Sequence, residues 1–331
     1  MSRSERRFLR WGRAWPAVLA LAAWPPAAAA GPAASPPGPV QGALREAGEA
    51  AERSRAGRYL VVSSPAEGMP SGLAARMASL AERFEHAYRA FWEGRLPLAP
   101  AAELPAEVAI VILPGAEPMG RLLGEARVRR PAFEPGGAWL PLHDMILVAR
   151  TSLLERVLAA TVVHETAHML NERMLRGAGM AWWLDEGLAQ FCQYSALDPG
   201  GGPRLGTLDE GSVLRVPEGE GEILYQFVPR RSLSYLDGQF RRDPSLSIAQ
   251  MLADLDPAPE RARLREVQAW SFVHLMAVGR TRRQGPLRPR FDRYVAMELA
   301  GEGGRQPLLG VLDMSMEELD NLWYRHVMKL L

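Results

Sequence analysis

The segment Val163-His164-Glu165-Thr166-Ala167-His168-Met169 constrains this chain more than any other. His-Glu-x-x-His is useful only on a helix, where positions i and i+4 share a face and two imidazoles point at one ion. The fold must therefore supply a helix here and a further donor facing the same side of it. With 6 histidines in 331 residues, the pattern arises by chance in roughly one such chain in a hundred. The flanks agree with a helix. Residues 151–173 carry Leu153, Leu154, Val157, Leu158, Val162 and Met169 at helical spacing, which predicts an amphipathic helix. Thr151 or Ser152 can cap its start, Glu155 falls in its first turn, and Gly177 and Gly179 mark its end.

Two imidazoles do not complete a metal site. In the next segment, Trp182-Trp183-Leu184-Asp185-Glu186-Gly187-Leu188-Ala189-Gln190-Phe191, Glu186 begins a second helical stretch 18 positions after His168, a distance that lets one helix end and a second return. Glu186 is the expected third ligand, and Asp185 or a residue just before it can open that helix. Two neutral imidazoles and one carboxylate suit Zn2+, and three protein ligands leave a fourth position for water, as in catalytic sites. Glu165 flanks the ligands and is the expected general base. An alternative arrangement with a third histidine further along the same helix would need Gly at 171 and His at 174. Asn171 and Met174 stand there instead.

On these residues the chain resembles the gluzincin metallopeptidases, and within them bacterial peptidase MA-like domains. The matching positions are His164, Glu165, His168 and Trp183-Leu184-Asp185-Glu186-Gly187-Leu188-Ala189. Tyr59-Leu60-Val61-Val62-Ser63-Ser64 and Glu107-Val108-Ala109-Ile110-Val111-Ile112-Leu113 are similar to strands of that family. Gln268-Ala269-Trp270-Ser271-Phe272-Val273-His274 and Ser315-Met316-Glu317-Glu318-Leu319-Asp320 are similar to its later helices. The resemblance spans residues 58–331 and implies a zincin-like fold and a peptide or protein substrate. It also implies an edge strand that pairs with extended substrate, either 138–142 or 145–149. Relatives carry a Tyr before the Gln-x-Trp segment; here Arg265, Glu266 and Val267 occupy those positions. Tyr225, Tyr235 and His274 are the substitutes considered for a transition-state donor. Gln190, one turn beyond Glu186, stands where some gluzincins place Asp; it reads either as a solvated surface residue or as a partner that orients a ligand histidine.

The rest of the chain fits an α+β fold: an N-terminal α/β lobe with a small sheet (58–176) and a mainly helical lobe (177–331), with the metal between them. Residues 59–64 and 107–113 read as strands, as do 138–142 and 145–149 around a His143-Asp144 turn. His143 is a minor candidate beside the metal. Residues 70–92 form a helix with Leu73, Met77, Leu80, Phe84, Tyr88 and Phe91 on its core face. Residues 198–231 read as loops with a short hairpin, and 261–279 and 306–331 as helices. The basic run from Arg280 to Arg290 reads as a solvated loop.

Composition narrows the partners. A formal charge of +1, from 39 basic and 38 acidic side chains, gives no argument for nucleic acid. The lone Cys192 excludes an internal disulfide and reads as a buried small residue. At the N-terminus, Arg3, Arg6, Arg7, Arg10 and Arg13 precede an apolar stretch at 14–24 and the small residues Ala28-Ala29-Ala30. This is the pattern of a signal peptide over 1–30 that engages the export machinery, with an uncleaved anchor as its variant. Residues 31–57 read as a Pro/Ala-rich linker (31–40) followed by a short helix within 44–58. The sequence thus predicts a periplasmic or secreted zinc peptidase. The alternative is an envelope binding or assembly protein that keeps the zinc and has lost turnover.

Overall fold

The computed structural model describes residues 38–48, 50–65, 71–125, 136–150, 155–177, 179–197, 203–208, 229–243, 246–253, 259–281 and 285–331. The expected signal peptide, most of the linker, the helix caps at 151 and 152, and Tyr225 lie outside them. The fold is mixed α and β, built on one five-stranded sheet in the order β1-β2-β3-β5-β4. Its strands are β1 (Glu52–Ala56), β2 (Tyr59–Ser63), β3 (Val108–Leu113), β4 (Gly137–Leu140) and β5 (Met145–Ala149). β2, β3 and β5 run parallel, while β1 and β4 close the two edges antiparallel.

Alternation along the strands explains the two layers. Tyr59, Val61, Ile110, Ile112, Ile146 and Val148 point to one face and join the large core. Val62, Val111, Leu113, Met145, Leu147 and Ala149 point to the other, as the two-residue period of a strand requires. On that second face lie α1 (Gly38–Ala47) and α3 (Ala116–Glu125). Every residue of β3 and β5 is buried, because helices cover both faces of both strands. On the first face lie α2 (Leu73–Trp92) and α4 (Glu155–Arg173). The expected α2 stripe is buried from Leu73 to Tyr88, and Trp92 completes it.

The later elements are α5 (Trp182–Gln193), the hairpin β6 (Ser195–Leu197) with β7 (Pro203–Leu208), α6 (Pro229–Arg242), α7 (Ile248–Ala253) and α8 (Pro259–Val278). A two-residue ladder, β8 (Arg280–Thr281) with β9 (Gly285–Pro286), leads into α9 (Arg288–Leu299), α10 (Arg305–Leu312) and α11 (Met316–Leu330). One continuous apolar core runs from Tyr59 to Val327. The two expected lobes therefore share a single interior.

Several expectations need correction. The segment read as linker already turns helical at Gly38, and the helix sought within 44–58 ends at Ala47, giving way to β1. Polar Glu-Arg-Ser-Arg-Ala hides that strand, because an edge strand keeps only part of its surface buried. The basic run is not a loop throughout. Arg288 opens α9 and lays its guanidinium 3.6 Å from the Phe91 ring centroid and 4.7 Å from that of Trp92. It is also bonded to Asp292, so stacking and pairing replace the water it gave up. Helix α4 is not amphipathic in the usual sense. Buried residues lie all around it, from Val157 and Val163 to Thr166 and Asn171, since the sheet, α2 and α5 enclose it.

Candidate metal centre

The centre forms where α4 meets α5. α4 stops at Arg173, and a turn with Arg176 in the left-handed region (φ 57°) reverses the chain. α5 then starts at Trp182, ahead of the expected opening at Asp185 or a residue just before it. Its N-cap, Ala181, has no capping side chain of its own. The Ala181 N–H instead donates to Glu298 Oε1 of α9 at 2.9 Å, a long-range cap that sequence spacing does not reveal. Gly187, beside Glu186, allows α5 to lie close on α8. A β-carbon there would sit 2.7 Å from Val273 Cγ2 and 2.8 Å from the Ala269 carbonyl oxygen.

This packing brings the three expected ligands together. His164, His168 and Glu186 each offer one atom, all within 4.8 Å of one another, and the group can hold a metal ion. The His164 and His168 Nε2 atoms are 3.1 Å apart. Glu186 Oε1 is 3.5 Å from His164 Nε2, and its Oε2 is 3.6 Å from His168 Nε2. Burial pushes His164 down to about 4, against the pull of Glu186. Burial also opposes a charge on His168, but Asp185 and Glu186 outweigh it and lift that ring to about 10.

Asp185 is the functional residue that the sequence reading missed. His168 Nδ1 is 2.9 Å from Asp185 Oδ2. Asn171 Nδ2 donates to Asp185 Oδ1 at 2.7 Å, and the buried Tyr88 hydroxyl donates to Asn171 Oδ1. With His168 donating from Nδ1, Nε2 is the nitrogen on the metal side, and it would give up its proton to bind an ion. A signal was present: Asn171 follows His168 by three positions, so the two share a helical face. Gln190 is buried, not solvated, and it does not orient a histidine. It donates from Nε2 to Glu186 Oε1 at 3.0 Å, fixing the carboxylate rather than a histidine. Its carboxamide also bonds Glu266 of α8, which burial and the nearby Glu186 push well above the usual carboxylate range.

Glu165 lies buried on the same helix and outside the donor group. Burial, with Glu186 and Asp185 adding to it, raises its carboxyl to about 7, while His168 and the Trp139 backbone N–H act in the opposite sense. The strand beside it is β4, an outer strand of the sheet. Strand β5, the other candidate edge, is interior, paired on both sides by β3 and β4.

The remaining candidates sit elsewhere. His143 lies in a single 3-10 turn after β4 and is not part of the donor group. Tyr235 lies on α6 with the Arg263 guanidinium 4.8 Å above its ring. Arg263 in turn faces Glu266, and Tyr235 is not part of the donor group. Cys192 is buried, as expected, and burial pushes its thiol well above its usual range.

His274 faces away from the centre, toward α11. Its Nδ1 is 2.9 Å from His326 Nε2, and its own Nε2 is buried without a hydrogen bond. Burial pushes His274 down to about 3 and His326 to about 4. Both rings are thus neutral when folded, and the unfolded chain binds the extra protons below ~6.5. Their contribution is complete above that pH and is lost as pH falls toward 4. We expect the difference in unfolding free energy between pH 7 and pH 4.5 to shrink in His274→Gln by roughly 1–3 kcal/mol. Urea titrations at the two pH values check this, and an undiminished difference would count against it.

In comparisons with known proteins, no family model matches this chain and no curated protein matches it.

Proposed function

We propose that this chain is an exported zinc-dependent peptidase of the gluzincin type, with a zincin-like fold resembling peptidase MA-like domains. The observation that carries the reading is the convergence of His164, His168 and Glu186 beside a carboxylate, Glu165, that is not one of the donors. The donor set fits zinc. Two ligand atoms each about 2.0–2.1 Å from a tetrahedral ion stand roughly 3.3 Å apart. The two Nε2 atoms here are 3.1 Å apart, and Glu186 approaches His164 with Oε1 at 3.5 Å and His168 with Oε2 at 3.6 Å, one atom from each residue lying within 4.8 Å of the others. Three carboxylates, Glu165, Asp185 and Glu186, also crowd two imidazoles, and a dication relieves that imbalance.

A zinc ion held there supplies Lewis acidity, which acidifies water and polarises a carbonyl oxygen. The chain's own residues do the rest. Glu165 accepts a proton from the attacking water and passes it to the leaving amine, and its burial, which favours the protonated form, helps it take that proton up. Asp185 fixes the tautomer and tilt of His168. Gln190 holds the Glu186 carboxylate. As an outer strand next to α4, β4 offers backbone groups to an extended peptide.

Two measurements test the reading together. Elemental analysis of purified protein should give about one zinc per chain. A broad peptide library should yield products whose formation a chelator abolishes. A protein without zinc contradicts the reading; one with zinc that cleaves no peptide supports the binding or assembly role.

Export rests on the N-terminal sequence. Among the described residues no helix is long and apolar enough to cross a membrane. The basic stretch and Ala28-Ala29-Ala30 predict that protein from an exporting bacterial host begins near Gly31. N-terminal sequencing checks this; an uncleaved chain in the cytoplasm would reject export, and one in the membrane would indicate an anchor.

A further inference from the structure

We infer that strand β4 is the seat of the proton-transfer group. Gly137 is a positioning residue whose missing side chain lets the Glu165 carboxylate lie against the strand. A β-carbon at Gly137 would stand 2.5 Å from Glu165 Cγ, 2.8 Å from its Cδ and 2.7 Å from its Oε1. Carbon atoms in good contact are about 3.5–4.0 Å apart, so a methyl group and the present Glu165 conformer exclude each other. The backbone does not itself require glycine here, because Gly137 is not among the residues with positive φ. Its neighbour Gly136 is the contrast. A β-carbon there meets only the Thr161 side chain, at 3.7 Å, an ordinary contact.

Neither β4 nor α4 can easily step aside. Gly137 pairs with Val148 of β5. Further along the strand, the Trp139 indole donates to Glu172 Oε2 at 2.8 Å, and just past its end Arg173 donates to the Pro141 carbonyl at 2.7 Å. These bonds tie β4 to α4 just beyond the contact. The Glu165 side chain is therefore the part that yields. Displaced, it loses the Trp139 backbone N–H and its present place beside His168. The missing side chain of Gly137 acts only through Glu165, and adding a methyl group leaves its backbone N–H and C=O in place.

The kinetic part of this inference rests on the peptidase reading, whereas the packing part does not. In Gly137→Ala, kcat should fall on the order of 10- to 100-fold, the scale of a 1 Å misplacement, with KM and zinc content unchanged. Gly136→Ala should behave as wild type. In a Glu165→Gln background, adding Gly137→Ala should change the residual rate by less than about twofold, because groups acting as a unit are not additive. Retention of kcat in Gly137→Ala, or the same loss on top of Glu165→Gln, overturns the inference. If the wild type cleaves no peptide, the peptidase reading fails and thermal melts decide the packing. Gly137→Ala should then lower the melting temperature in the Glu165 chain by at least about 2 °C more than in a Glu165→Ala chain. Equal shifts in the two backgrounds overturn it. Should Gly137→Ala not fold at all, the double variant with Glu165→Ala must fold, and its failure is equally decisive.

Discussion

Glu165→Gln should fold, hold zinc at the wild-type level, and cleave peptides on the order of 100- to 10,000-fold more slowly than wild type. That loss corresponds to roughly 3 to 5 kcal/mol of barrier. The substitution isolates one function. Gln keeps the length and the oxygen that accepts the Trp139 N–H, so the contact with β4 survives. It also removes a carboxylate from a buried site that already holds Glu186 and Asp185, so no loss of stability is expected. What it lacks is the ability to take a proton. No ligand changes, since the donors are His164, His168 and Glu186. Kinetics at matched zinc content, with melts of both proteins, measure the effect. Equal turnover by the two proteins would remove Glu165 from the mechanism.

The parts of this molecule that were legible in the sequence are those where local pattern and tertiary role coincide. β3 is apolar at every position because both its faces are covered. α2 shows its stripe because one side of it faces the core. His164, His168 and Glu186 were legible because ligand chemistry fixes their spacing on two helices. The Ser315 capping box of α11 is equally local, with Ser315 Oγ accepting from the Glu318 N–H and the Glu318 side chain returning the bond.

The illegible parts depend on partners distant in sequence. β1 is polar and becomes a strand only through its pairing with β2. Arg288 reads as solvated until Phe91 and Trp92 are placed beneath it. α5 starts earlier than its own residues indicate because Glu298 caps it from α9. In the centre, Gln190 chose Glu186 over a histidine since one helical turn separates them on the same face. His274 is oriented by α11, and nothing near it in sequence announces His326. Gly137 carries no sequence signal at all; its significance lies in a side chain from another element.

Removing a ligand should have the largest effect on the metal. His164→Ala or His168→Ala leaves two protein donors, and elemental analysis after dialysis should find most of the zinc gone in either variant. Asp185→Asn is the graded version of the same experiment. The wild-type carboxylate accepts two bonds, from His168 Nδ1 and from Asn171 Nδ2. An amide at 185 has one oxygen, so it can accept from His168 or from Asn171 but not from both in the present geometry. If the oxygen stays on Asn171, the new NH2 group faces His168 Nδ1 and favours the tautomer with its proton on Nε2, the atom that must bind metal. Either way the imidazole is less well aimed and less basic. Loss of such a support costs about 10- to 100-fold in metal affinity. Competition against a chelator of known affinity should therefore rank wild type above Asp185→Asn, and Asp185→Asn above His168→Ala. Zinc bound as tightly in Asp185→Asn as in wild type would show that His168 needs no support from α5. Full occupancy in the His164→Ala/His168→Ala double variant would place the metal elsewhere and remove the basis of the peptidase reading.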